Sequence, residues 1–193
     1  MLVIKPLSAS DAGLYIDHFV RSVSVSGVGD TPLFTVIPAG VPIDKEKRRA
    51  MAEKAWQITT GLHGWERAWG AYTPIEGVTK IVGSVTLSSE RLAPCQMHRC
   101  ILGIGIEPGY RHVGLGRNLM TTALTWCKSQ TFLSWVDLGV FADNLRARRL
   151  YESFQFQETG RTIDCFRVNN IRVDDIHMTL ELKEYAPKLG TPD

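Results

Sequence analysis

Between the apolar run Ile101-Leu-Gly-Ile-Gly-Ile106 and an amphipathic pattern beginning near Gly114 lies the segment Arg111-His112-Val113-Gly114-Leu115-Gly116-Arg117. Backbone N–H groups at a helix N-terminus have no intrahelical partner, and the helix dipole adds partial positive charge there. Glycines at such a place remove the Cβ atoms that would hold an anion away from those donors. The chemistry on offer is therefore a main-chain grip on a phosphate or pyrophosphate. A Walker A loop is excluded, because no Gly-Lys-Ser/Thr follows, and Gly103-Ile-Gly105 does not complete a GxGxxG dinucleotide fingerprint. The same two glycines would also suit a tight turn and a closely packed helix, so the spacing alone leaves two readings.

Further along, Asn144-x-x-Ala147-x-x-Leu150-Tyr151 precedes Phe154. The Tyr151 phenol can act as a proton donor, or it can simply pack beside Phe154. For a proton acceptor the candidates are Glu107, Asp137, His98 and Glu66, each of which also reads as a solvated surface group. His112 lies inside the glycine-containing segment, where its backbone matters more than its imidazole. His18, His63 and His177 show no metal-ligand spacing. Cys95-Gln-Met-His98-Arg-Cys100 has zinc-ligand types, but no second pair completes a tetrahedral set. Four cysteines without a CxxC pair fit a reducing cytoplasm.

These residues need elements to position them. The pattern predicts a strand at Leu2–Pro6, a helix from a Ser10–Asp11 cap toward Arg21, and a loop over Ser22–Val41. A helix follows at Asp44–Ile58, with Ala50, Met51, Ala55 and Trp56 on its apolar side. Strands are expected at Trp65–Tyr72 and Val78–Leu87, with a turn around Pro74–Gly77, then a linker near Ser88–Met97 and a strand ending at Ile106. The helix from Gly114 to Lys128 aligns Leu115, Leu119, Ala123 and Cys127, with Met120 and Leu124 beside them. A strand at Trp135–Phe141, a helix carrying Leu145, Leu150, Tyr151 and Phe154, and strands at Phe156–Cys165 and Ile171–Leu182 complete the chain. This order argues for a mixed α/β sheet.

The 193 residues suit a single domain; they are 44% hydrophobic and 22% charged, and the net charge is +2. That balance argues against nucleic acid as the main partner. No apolar run is long enough for a membrane span, and the opening MLVIKPLSASDAG does not read as a secretory signal. Trp56, Trp65, Trp69 and Tyr72 suit either core packing or the wall of a ligand pocket.

The stretch ILGIGIEPGYRHVGLGRNLM resembles the signature of the GNAT superfamily of N-acetyltransferases, a strand followed by (Arg/Gln)-x-x-Gly-x-(Gly/Ala) and a helix. VFADNLRARRLYESFQFQETGR is similar to that family's second cofactor motif, through Asn144, Ala147, Leu150, Tyr151 and Phe154. RVDDIHMTLEL and LVIKPLSASDAG resemble its last and first elements, and the likeness is strongest over 65–183, with 184–193 as a tail. The resemblance implies a mixed, mostly antiparallel sheet with a central splay, flanked by helices. It implies acetyl-CoA as donor, a primary amine as acceptor (a protein N-terminus, a lysine or a small molecule) and no metal, with a homodimer left open. By the same resemblance, amides of Arg111 through Arg117 would hold the pyrophosphate. Ile104, Gly105 and Ile106 would pair with the pantetheine arm, Asn144 and Ala147 would contact it, and Tyr151 would be the general acid. The Arg146–Arg149 cluster reads either as a solvated helix face or as a partner for the 3′-phosphate of that cofactor. The family's usual base positions fall on Cys100 and Gly139, neither of them a base; Glu107 is then the expected catalytic carboxylate, and a non-catalytic acyl-CoA-binding module is the alternative.

Overall fold

The computed structural model describes residues 2–29, 31–38, 40–89 and 93–183. Its strands are β1 (Val3–Pro6), β2 (Glu66–Ile75), β3 (Val78–Ser88), β4 (Arg99–Ile106), β5 (Trp135–Phe141), β6 (Gln157–Val168) and β7 (Ile171–Glu181). Its α-helices are α1 (Ala12–Ser24), α2 (Lys45–Gln57), α3 (Leu115–Ser129) and α4 (Leu145–Ser153). The strands form one seven-stranded sheet in the order β1-β2-β3-β4-β5-β7-β6. Every neighbouring pair is antiparallel except β4 and β5, which α3 connects in parallel.

The period-two alternation of the central strands sorts side chains onto two faces. Cys100 and Leu102 on β4, Val136, Leu138 and Val140 on β5, and Ile176, Met178 and Leu180 on β7 share the main core with Leu115, Leu119, Met120, Ala123, Leu124 and Cys127 of α3. Tyr151 of α4 and Phe154, just after it, belong to the same core. The other face is covered by α1, which packs on β3 and β4, and by α2 against β2. Beyond them Leu33 rests on a smaller cluster of Phe141, Val168 and Val173. Trp65 and Trp69 are buried against Trp126, which makes them core residues rather than pocket walls.

Several local details differ from the sequence-based expectations. The β2–β3 turn is only Glu76-Gly77, both at positive φ (51° and 77°), and β2 runs through Pro74 to Ile75. On α2 the buried residue is Ala52, while Met51 is 49% exposed, because the helix turns a narrow alanine ridge toward the sheet. Leu145 sits exposed in the first turn of α4. The first helix does start from Asp11 as its N-cap, but a 3-10 turn closed by Ser8 and Asp11 precedes it, and α1 runs from Ala12 past Arg21 to Ser24. The expected linker lies partly outside the described residues, as does the tail from Glu184 onward. No helix among the described residues is long and apolar enough to cross a membrane.

Candidate active site

The site begins where two strands part. β4 pairs with β3 from Ile101 to Ile106, but with β5 only through Arg99, Cys100 and Ile101. From Leu102 to Ile106 one edge of β4 therefore has no strand beside it. An open edge of this kind is a template for an extended ligand, which completes the ladder by main-chain hydrogen bonds.

Glu107 ends the strand, and Pro108–Tyr110 form a 3-10 turn. The Arg111 N–H donates to Pro108 O at 3.2 Å, so this amide is already committed. The N–H groups of His112 through Arg117 have no protein acceptor among the described residues, and the next bond is Asn118 N–H to Gly114 O at 3.1 Å. The first turn of α3 carries no acidic side chain and no side-chain cap. The two glycines have separate tasks. Gly114 takes φ 78° with open space where a Cβ would be, so it is there for the backbone angle. A Cβ at Gly116 would lie 3.2 Å from Ile106 Cδ1 and 3.3 Å from Leu150 Cδ2, so that glycine lets α3 pack closely on β4 and α4. Clearing a path to the free amides thus combines with both simpler readings of the pair.

Three arginines surround these amides. Arg111 folds back, its Nε donating to Ile106 O at 3.0 Å and its guanidinium 5.4 Å from the Phe34 ring. Burial, helped by the nearby Arg146 charge, lowers its pKa. Arg146 Nη1 donates to His112 Nε2 at 2.6 Å, tying α4 to the loop. Arg117 donates to Ser153 Oγ at 3.3 Å. Val113 is exposed between them, and Leu115 is buried.

α4 approaches the same place from the far side of the splay. Asn144 Oδ1 accepts from Ala147 N–H at 3.2 Å, a side-chain cap that starts the helix. Ala147 and Leu150 pack on the main core, and Tyr151 is buried with its ring 6.0 Å from Phe156. Burial pushes the Tyr151 phenol well above its ordinary value, so it stays protonated near neutrality.

The candidate bases have different fates. Asp137 is bound by the Arg99 guanidinium and accepts from Thr179 Oγ1 at 2.7 Å. Glu66 accepts from Trp56 Nε1 at 2.8 Å. His98 lies exposed in the turn before β4. Glu107 turns toward α1, where its Oε1 accepts from His18 Nδ1 at 2.9 Å and Arg21 Nε at 3.0 Å. Burial opposes its charge, but the His18 and Arg21 hydrogen bonds and the Arg21 charge outweigh burial and hold its carboxyl below the usual range. Cys100 faces the α3 core, and its thiol is pushed up by Cys127 and by burial.

Gly139, on the opposite face, has its missing side chain replaced from another strand. A Cβ there would lie 2.8 Å from Asp175 Oδ2, so the Asp175 carboxylate of β7 fills that space. Asp175 is 8% exposed, and burial raises its pKa, partly offset by His177, whose Nδ1 is 3.7 Å away. Asp175 is not among the residues singled out in the sequence, and His18 was weighed there only as a metal ligand. The signal for Asp175 was the glycine at the expected base position; nothing local marked His18. A separate cavity of about 870 Å³ lies between α1, α2 and residues 58–66. No residue of β4, β5, α3 or α4 lines it, so it is not the place where the splay and the free amides meet.

A model of the Acetyltransferase (GNAT) family matches residues 42–156, and the chain belongs to that family. N-acetyltransferase aca1 of Schizosaccharomyces pombe is 31% identical over 98 residues, which cover 51% of this chain and 46% of that protein. The matched segment thus spans less than half of the relative. Among solved structures, an N-acetyltransferase from Staphylococcus aureus Mu50 superposes with TM-score 0.75 at 16% identity, over 94% of this chain and 99% of that one. A GNAT-family acetyltransferase from Streptococcus pneumoniae gives 0.72 at 22% identity, over 94% and 99%. The Salmonella typhimurium protein yncA, solved with its cofactor acetyl-CoA, gives 0.74 at 18% identity, over 98% and 99%. At these identities the superpositions establish the fold: a mixed, mostly antiparallel sheet flanked by helices.

Proposed function

We propose that the protein is an acetyl-CoA-dependent N-acetyltransferase, acting as one domain, that moves the acetyl group to a primary amine by direct attack. The observation that carries this reading is the run of unbonded amides at the start of α3, lying beside the open edge of β4. The amides of His112, Val113, Gly114, Leu115, Gly116 and Arg117 hold the diphosphate, with Arg117 and Arg146 adding positive charge. Arg111 belongs to the same loop but acts through its side chain, which fixes the loop to Ile106. The edge of Ile104, Gly105 and Ile106 receives the pantetheine arm as an added strand. Asn144 and Ala147 line the arm from α4, the Asn144 side-chain NH2 remaining available while its carbonyl caps the helix. A main-chain N–H near Ile106 polarises the thioester carbonyl where oxyanion charge develops.

Tyr151 gives its proton to the sulfur as the C–S bond breaks. Burial keeps the phenol protonated near neutrality, so its proton is in place when the thiolate departs. The acceptor class is a primary amine, small or on a protein. The free cysteines fit a reducing compartment, the cytoplasm.

The experiment is steady-state turnover of acetyl-CoA with an amine panel of amino acids, polyamines and peptides with free N-termini. Tyr151→Phe should lower kcat about 100-fold while leaving the calorimetric affinity for acetyl-CoA unchanged. Tight binding without turnover by the wild type on any amine would instead mark a non-catalytic acyl-CoA-binding module.

A further inference from the structure

We infer that His18, on α1, is the general base of this reaction and that Glu107 is its positioning residue. The inference rests on the amine-acetylation reading above. β4 and β5 carry Cys100 and Gly139 where a basic group is expected, Asp137 is locked to Arg99, and Glu107 is held as a weakly basic anion. The structure supplies an imidazole instead. His18 is 1% exposed, and both of its hydrogen-bond contacts are made at Nδ1, to Glu107 Oε1 at 2.9 Å and to Ser22 Oγ at 3.4 Å.

A carboxylate can only accept, so Nδ1 carries the hydrogen, and in the neutral imidazole the lone pair is then on Nε2. Nε2 has no hydrogen-bond partner among the described residues, and a Cβ on Gly105 would lie 3.8 Å from it. It therefore rests over the middle of the Ile104–Ile106 stretch, whose opposite edge is the open one. A carboxylate on Nδ1 fixes the tautomer and stabilises the imidazolium that forms, the arrangement by which a buried acid orients a catalytic histidine. The Arg21 guanidinium, bonded to Glu107 Oε1 and to Ile81 O at 2.8 Å, fixes the carboxylate in turn. Among the described residues, Glu107 just after β4 and Arg21 from α1 are the charged groups bonded into this cluster; β3 contributes the Ile81 carbonyl, through Arg21.

The step balances as follows. The lone pair of a neutral amine forms the N–C bond to the acetyl carbonyl carbon. The nitrogen gives one proton to His18 Nε2, and the C–S bond breaks with its electron pair on sulfur, which takes the Tyr151 proton. Exchange with solvent returns the imidazolium and the tyrosinate to their starting forms. Because His18 comes from α1, the amine enters on the face opposite α3, where Gly103 and Gly139 leave exposed backbone as a floor.

The test uses the full chain with acetyl-CoA and whichever amine of the panel turns over fastest. His18→Gln should lower kcat about 100-fold, leave acetyl-CoA affinity unchanged and abolish the acid limb of the pH–rate profile. Glu107→Gln should move that limb to lower pH, an effect that mere loss of stability does not produce. Independently of turnover, 15N spectra of labelled histidine should show His18 protonated at Nδ1 and bare at Nε2 at neutral pH. Retention of both rate and acid limb by His18→Gln, their loss instead in Asp175→Asn, or an Nε2–H tautomer would overturn the assignment while leaving the acetyltransferase reading intact. Absence of wild-type turnover on every amine would remove both.

Discussion

Gly139 and Asp175 form a matched pair across two strands: one residue has no side chain, and the other delivers a carboxylate into the vacated space. Gly139→Ala would force its Cβ to 2.8 Å from Asp175 Oδ2, closer than side-chain contacts allow. We expect this substitution to destabilise the fold by about 1–3 kcal/mol, as overpacking does. The penalty should shrink in an Asp175→Gly background, so a double-mutant cycle of denaturant melts checks the pairing. Additive effects would mean that the two residues do not share the space. The pair also shows how far single residues can be read from the chain. Tyr151, Asn144 and Gly116 stood out as candidates because the motifs that carry the family resemblance are each local to one turn or helix. His18 and Glu107 are 89 positions apart, and only the packing of α1 over β4 makes them neighbours. Likewise Asp175 reaches Gly139 through β5–β7 pairing, which no local pattern encodes.

α3 and β4 are the elements that shape the candidate cofactor site, and they meet at Gly116. Any side chain there presses on Ile106 Cδ1 and Leu150 Cδ2. Gly116→Val should therefore lift the start of α3 away from β4, lower the melting temperature and weaken coenzyme A binding at least tenfold by calorimetry. Gly114→Ala has room for its methyl but must hold φ 78°, a left-handed angle that costs a non-glycine residue about 1–2 kcal/mol. Both strand β5 and helix α3 were plain in the sequence, since β5 is a short apolar run and α3 repeats its apolar residues every three or four positions. α2 was harder. Its apolar contrast is weak, so pattern alone placed Met51 inward where Ala52 is the buried residue. The splay itself left no trace in periodicity: β4 reads as one continuous strand, and only the three-pair contact with β5 reveals where its edge opens.

At the scale of the whole molecule, a net charge of +2 says little until its distribution is seen. Arg146 is tied to the loop of unbonded amides through His112, Arg111 belongs to that loop, and Arg117 lies in the first turn of α3, which holds no acid. An arrangement of this kind draws an anion toward one end of the sheet and raises its encounter rate. The opposite face carries His18, Glu107 and Asp175 near the backbone floor of Gly103 and Gly139. On the function proposed above, the unbonded amides grip the diphosphate on one side of the β4 edge, and His18 takes the amine proton on the other. Isothermal titration of coenzyme A and of pantetheine, which lacks the diphosphate, tests this division most directly. We predict one coenzyme A bound per chain and at least a hundredfold weaker binding of pantetheine, whereas equal affinities, or no heat with coenzyme A, would contradict the diphosphate grip.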